Sequence, residues 1–158
     1  MKKIIYILII LVLFTITGCT PKNKTTPPFT ITCESNDSVM EGVQTTNKSI
    51  YKFDEYQYVT EYEIKTISVY DNEETYNIYK KGAEQTLKAG NSDKITYDIT
   101  TDDNTRTVNF SYKVTITKDD MKDLSDKDFY KAKKVLERAK SNTNTKCTFN
   151  DIEENQIK

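Results

Sequence analysis

Apolar and polar residues alternate along several segments after residue 28. In the segment 29–33, threonines separate the apolar side chains of Phe29, Ile31 and Cys33. Successive side chains of a β-strand point to opposite faces, so this pattern predicts a half-buried strand with Cys33 on its apolar face. Four further strands are predicted, over 43–54, 57–70, 94–100 and 106–117, and the last two should form an antiparallel hairpin with one face in water.

The alternation within the segment 57–70 changes phase. Tyr62 and Ile64 stand at even positions, whereas Ile67 and Val69 stand at odd positions. A β-bulge adds one residue to a strand and reverses which face the following side chains occupy. We therefore expect a bulge near Lys65 or Thr66.

Apolar residues recur at helical spacing between residues 71 and 90. Asp71 or Asn72 can cap the amino end of this helix, and Gly90 is a suitable stop. Spacings of three and four residues place one stripe on the same face, which packs inward. The stripe comprises Tyr76, Tyr79, Ala83 and Leu87.

A second helix is predicted over 125–140, with Ser125 as its N-cap. Its apolar stripe comprises Phe129, Ala132, Leu136 and Ala139.

The segment 146–150 repeats the alternation of the first strand, with Cys147 and Phe149 on one face. Strands in antiparallel runs with two packed helices indicate an α+β fold. We predict a single domain over 29–150, with an antiparallel sheet of about five strands and two helices packed on one face. Residues 151–158 are predicted to be a disordered tail.

The amino-terminal segment has the organisation of a bacterial export signal. Lys2 and Lys3 precede an unbroken apolar run of eleven residues over 4–14. A membrane-spanning helix needs about 20 apolar residues, whereas this length suits the apolar region of a signal peptide. Gly18 and Cys19 follow directly after Ile16 and Thr17.

The sequence ITGC at residues 16–19 resembles the lipobox of bacterial lipoproteins. That resemblance implies a signal peptide over 1–18, cleavage between Gly18 and Cys19, and a diacylglyceryl thioether on Cys19. The proline-containing segment 19–28 would then be a flexible tether, and the protein would be lipid-anchored to the cell membrane on its extracytoplasmic face. Two alternatives are an ordinary secretory signal with a chance cysteine and a short uncleaved anchor.

Two cysteines remain beside Cys19, near opposite ends of the predicted domain. Disulfides persist outside the cytoplasm, and both Cys33 and Cys147 lie on apolar strand faces. We predict a structural disulfide between them. The alternative is a pair of free buried thiols.

The chain as a whole is similar in layout to small Gram-positive lipoproteins, of which the YehR-like group is the nearest. The shared features are the lipobox, the tether, a cysteine on the first strand, a tyrosine-rich helix with an acidic cap, and a lysine-rich late helix before a final cysteine. The resemblance implies an α+β domain at the membrane surface and supplies no activity.

Composition removes many catalytic and metal-binding classes. The chain has no histidine, which excludes Ser-His-Asp and Cys-His catalysis and histidine-containing metal sites. No phosphate-binding loop or dinucleotide fingerprint is present. We therefore predict no catalytic residue, no cofactor and no metal site. A net charge of −1 with no basic patch also gives no indication of nucleic-acid binding.

Carboxylates occur as adjacent pairs that could serve a hydrolase or a calcium site only if they converged in a pocket. Helix capping and solvation explain each pair, and the run from Asp102 to Asn104 lacks the ligand spacing and glycine of a calcium loop. The pairs are Glu73-Glu74, Asp102-Asp103, Asp119-Asp120 and Glu153-Glu154.

Tyrosine is abundant, and the group Tyr56, Tyr58 and Tyr62 could form an aromatic platform for a glycan or peptide. Ordinary sheet packing is the alternative. The sequence therefore favours a non-catalytic, membrane-anchored protein that binds an envelope ligand or a membrane protein. A small cell-envelope hydrolase using carboxylates is the second hypothesis.

Overall fold

Six antiparallel strands form one sheet in the computed structural model, which describes residues 26–158 apart from the side chains at 37–39 and 89. The signal peptide predicted over 1–18, the cleavage site at Gly18 and Cys19, and most of the tether lie outside the described residues. Within the described part of the chain, no helix combines the length and apolar character needed to cross a membrane. The strands are β1 (Phe29–Met40), β2 (Val43–Phe53), β3 (Val59–Tyr70), β4 (Ile95–Asp102), β5 (Thr107–Thr115) and β6 (Lys146–Asn150).

The strands lie in the order β4-β5-β3-β2-β1-β6. The chain therefore builds the sheet outward from the β1–β2–β3 meander, adding the β5–β4 hairpin on one side and β6 on the other. The segment 146–150 is the sixth strand and pairs antiparallel with β1. The predicted α+β fold with an antiparallel sheet is confirmed, with six strands instead of about five.

Three α-helices accompany the sheet: α1 (Glu73–Ala89), α2 (Lys118–Asp123) and α3 (Ala132–Lys140). The first begins as predicted, because the Asn72 side chain accepts hydrogen bonds from the backbone N–H groups of Glu74 and Thr75. Gly90 ends it with a φ of 87°. The two longer helices, α1 and α3, pack on the same face of the sheet and leave the other face in water.

The hydrophobic core consists of two separate clusters on the helix-covered face. The main cluster lies under α3 and contains Phe29, Ile31, Cys33, Phe53, Val59, Ala132 and Val135. The second cluster lies under α1 and contains Val43, Tyr70, Tyr76 and Val108. The helices thus cover the two ends of the face and not its middle.

The predicted bulge at Lys65 or Thr66 is wrong, because the β2–β3 pairing runs through both residues without a shift. The one irregularity in that pairing lies between Lys52 and Phe53, opposite Thr60. The phase change has a different cause: Ile67 is on the water-facing side of β3 and is 46% exposed.

The second helix is shorter than predicted, and Ser125 does not cap it. A 3₁₀ turn occupies Lys127–Tyr130, and α3 begins only at Ala132. Lys131 is extended and forms an isolated β-bridge with Tyr58, while the backbone N–H of Ala132 donates to Gln57 O at 2.9 Å. This tertiary pairing takes the hydrogen bonds that a continuous helix would have used.

The prediction of a disordered tail over 151–158 is also wrong. Ile152 and Ile157 pack against the main cluster, and residues 154–156 form a 3₁₀ turn. The Gln57 side chain holds this segment, because Nε2 donates to Gln156 O at 3.0 Å and Oε1 accepts from the Lys158 backbone N–H at 2.8 Å. The folded domain therefore extends to the last residue.

Replacing Gln57 with glycine is expected to release this segment and to lower the free energy of unfolding by about 1–3 kcal/mol, as the loss of buried hydrogen bonds does. Gln57 is 6% exposed and has a φ of 67°, which glycine adopts without strain. Amide hydrogen exchange should accelerate at residues 154–158. The control is Asp151→Gly, because Asp151 has the same φ but is exposed. Unchanged exchange in Gln57→Gly would contradict the role given to this side chain.

Candidate functional site

A row of tyrosines crosses four strands on the helix-covered face. Tyr51 of β2 lies opposite Tyr62 of β3, and Tyr112 of β5 lies opposite Tyr97 of β4. Neighbouring ring centroids along the row are 6.3 Å, 5.9 Å and 6.4 Å apart, in the order Tyr51, Tyr62, Tyr112, Tyr97. These are contact distances for aromatic pairs, so the four rings form one continuous surface.

This tyrosine row lies in the part of the face that the helices leave open. Tyr51 and Tyr62 border the main cluster, whereas Tyr112 and Tyr97 belong to neither cluster. All four side chains are only partly buried. A binding surface needs such accessible aromatic area, which a fully packed core does not offer.

At one end of the row, α3 and the preceding 3₁₀ turn rise above the sheet and form a cleft of about 190 Å³. Tyr51, Tyr62 and Ile64 supply its floor, and Phe129, Tyr130 and Arg138 supply the opposite wall. Val59 and Val135, both from the main cluster, close the bottom. We call this site the aromatic cleft.

Arg138 is the one charged residue among those that line the aromatic cleft. Its guanidinium lies 3.7 Å from the centroid of the Phe129 ring, a cation–π contact that orients the group. The other arginine of the chain, Arg106, is engaged in the fold, because its Nε donates to Tyr70 O at 2.8 Å. Within residues 26–158, Arg138 forms no salt bridge, so its N–H groups are available to a ligand.

The Tyr62 and Tyr112 hydroxyls of the row are protonated at physiological pH. Burial and the neighbouring Tyr112 raise the pKa of Tyr62, and burial followed by the charge of Tyr51 raises the pKa of Tyr112. A phenol is already neutral at pH 7. These two side chains can therefore donate hydrogen bonds to a ligand over the whole physiological range.

The tyrosines singled out from the sequence do not form one platform. Tyr62 belongs to the tyrosine row, but Tyr56 is exposed in the β2–β3 loop. Tyr58 contacts Lys131, whose ammonium lies 5.6 Å from the centroid of its ring. The sequence pattern does not indicate Arg138 or the partners of Tyr62, since the strand order decides which tyrosines become neighbours.

The carboxylate pairs are dispersed and serve local structure. Asp103 accepts hydrogen bonds from Lys80 Nζ at 2.6 Å and from the Tyr76 hydroxyl at 2.5 Å, and these hold the pKa of its carboxyl below the ordinary value. Asp120 pairs with Lys94 and caps α2 through Thr117, which likewise lowers its pKa. Glu73 lies in the first turn of α1, and Glu154 pairs with Lys140. Among the described residues, no group of three or more acidic or cysteine side chains could hold a metal ion.

A larger depression of about 380 Å³ lies on the water-facing side of β3, β5 and β4. Both lysines in its lining are paired with carboxylates, Lys113 with Glu61 at 2.7 Å and Lys65 with Glu63 at 3.2 Å. Burial opposes ionisation of Glu61, but hydrogen bonds from Lys113 and Lys52 outweigh it and lower the pKa of the carboxyl. We consider the aromatic cleft the better candidate for a ligand-binding site, because its one cation, Arg138, has no carboxylate partner among the described residues.

The sulfur atoms of Cys33 and Cys147 lie 2.09 Å apart, at disulfide distance. The two residues stand directly opposite each other on β1 and β6. Cys33 is buried in the main cluster, so the pair belongs to the structural core, and neither cysteine lines the aromatic cleft.

Comparisons of the chain with protein-family models, with curated proteins and with solved structures gave no match.

Proposed function

We propose that this chain is a bacterial lipoprotein, similar to the YehR-like group, that is anchored through Cys19 on the extracytoplasmic face of the cell membrane. The observation that carries the proposal is the sequence ITGC directly after a signal-length apolar run. Two acyl chains on the mature amino terminus would give stable membrane attachment.

The domain acts by binding and not by catalysis. The aromatic cleft supports this part of the proposal, because it offers accessible rings, tyrosine hydroxyls and one arginine, with no carboxylate or thiol in its lining. An envelope polymer, a peptide or a membrane protein is its ligand. A hydrolase that uses carboxylates would need two of them facing one pocket. The four carboxylate pairs lie in separate elements, and of the two carboxylates that line the water-facing depression, Glu63 and Asp98, Glu63 is paired with Lys65.

Replacing Cys19 with alanine is expected to abolish lipidation and to leave an uncleaved precursor. The thioether forms on the thiol of this residue, and alanine has no nucleophile to replace it. The measurement is incorporation of labelled fatty acid in a bacterial host, together with the mass of the product. Thr20→Ala is the matched control and should be labelled like the wild type. Equal labelling of the Cys19→Ala protein would refute the anchor.

A further inference from the structure

We infer that the aromatic cleft binds the carboxylate-bearing sugar ring of an acidic glycan. This inference rests on the proposed function, because it names the ligand class for the binding site proposed above. Three properties of the cleft support it: recognition by side chains alone, charge complementarity, and size.

The floor of the cleft presents side chains and no free backbone. β2 lies between β1 and β3, and β3 lies between β2 and β5, so neither is an edge strand. Their backbone N–H and C=O groups already pair within the sheet. An extended peptide that adds to a sheet requires a free edge, which this site lacks. A ligand recognised by its ring faces and hydroxyl groups fits the site better.

The charge of the cleft selects an anion. Arg138 is the single charged residue in its lining, and Phe129 supports one face of the guanidinium at 3.7 Å. This arrangement leaves the edge of the guanidinium, with its paired N–H donors, free to bind a carboxylate in bidentate geometry. No carboxylate lines the cleft to compete with the ligand.

The size and the surroundings of the cleft indicate one unit of a longer chain. Its volume of about 190 Å³ is below the roughly 300–1,000 Å³ of pockets that enclose a whole small molecule. The tyrosine row continues from Tyr62 through Tyr112 to Tyr97, away from the cleft. These rings can stack against the apolar faces of successive sugars, and their hydroxyls can donate to sugar oxygens.

Calorimetric titration of the full-length chain in detergent tests this inference. The probes are a hexasaccharide of alternating glucuronate and N-acetylglucosamine, the same oligomer with its carboxyls reduced to alcohols, and a hexapeptide with a free carboxyl terminus. The wild type should bind the acidic oligomer about tenfold or more tightly than the reduced one, as expected for a charge-assisted bidentate contact.

Two matched variants separate a specific contact from general attraction. Arg138→Gln should lose the preference for the acidic oligomer, whereas Lys133→Gln, which removes one positive charge from the same helix outside the cleft, should retain it. Tyr62→Ala should weaken both oligomers. Circular dichroism should be unchanged in the arginine and lysine variants, because both side chains are exposed.

The inference is overturned if the wild type does not bind the acidic oligomer saturably, if it binds the reduced oligomer or the peptide as tightly, or if Arg138→Gln and Lys133→Gln behave alike. Fatty-acid labelling of Cys19 reports independently on the anchor. Labelling without glycan binding would therefore reject this inference and leave the lipoprotein proposal intact.

Discussion

Replacing Cys33 and Cys147 together with alanine is expected to lower the free energy of unfolding by about 4–5 kcal/mol, which is the chain-entropy contribution of a crosslink that closes a loop of this size. The two residues are 114 positions apart, so the bond restricts nearly the whole unfolded domain. The melting temperature should fall by about 10 °C or more. Thermal unfolding of the wild type and of the double alanine variant, both expressed in an oxidising compartment, measures the effect.

The redox state of the wild-type protein provides the control for this experiment. Mass spectrometry without reductant should find the mature chain two hydrogens lighter than the dithiol form. The double alanine variant should show no dependence of its melting temperature on reductant. Both thiols reacting with an alkylating agent in the folded, unreduced protein would refute the disulfide, and the residues would then be small buried hydrophobic groups.

Replacing Phe53 with alanine is expected to cost about 3–5 kcal/mol, as large-to-small substitutions of buried phenylalanine do. Phe53 is 2% exposed and stacks on Phe29 with ring centroids 4.8 Å apart. The substitution leaves a cavity in the main cluster, where neither β1 nor β2 can close without breaking its strand pairing. Urea denaturation followed by circular dichroism gives the free energy.

Phe129→Ala is the matched control, because Phe129 is 47% exposed and its ring contacts Tyr130 and Arg138 at the surface. Its loss should cost about 1 kcal/mol or less. Similar destabilisation at both positions would contradict the division between the main cluster and the wall of the aromatic cleft.

Because the two core clusters are separate, the domain leaves apolar area unburied between them, and the proposed binding surface lies there. Each longer helix covers one end of the sheet, and the tyrosine row between them remains partly exposed. An additional helix over the row would bury more apolar area and stabilise the domain further. The fold instead leaves these rings accessible, as a binding surface requires.

Local patterns were sufficient to predict several elements. The alternation around Phe110 defines β5, and the helical spacing that begins after Asn72 defines α1 together with its cap. The short helix α2 is not among the predicted elements, although the sequence contains its signal. Thr117 and Asp120 have the spacing of a capping box, and they form one in the structure. Such features depend on residues a few positions apart, so the sequence contains them directly.

The errors share a different cause. The local pattern at Ile67 predicts a bulge, but Ile67 instead lies on the exposed face of a regular strand. Which face of the sheet is covered depends on where the helices pack and cannot be read from neighbouring residues. The helix over 125–140 is interrupted because Lys131 pairs with Tyr58, more than seventy positions earlier. In each case a distant partner overrides the local preference.

By itself the sequence determined the α+β class, most of the strands and the cap of α1, and it contains the ITGC segment on which the anchor is proposed. Only the tertiary structure decided the strand order, the ordered carboxyl terminus held by Gln57, and the meeting of Tyr62 with Tyr112 in the tyrosine row and with Arg138 in the aromatic cleft. The physical reason is range: periodicity and capping are interactions between near neighbours, whereas a sheet brings together residues separated by tens of positions, and no local pattern records which strands become adjacent.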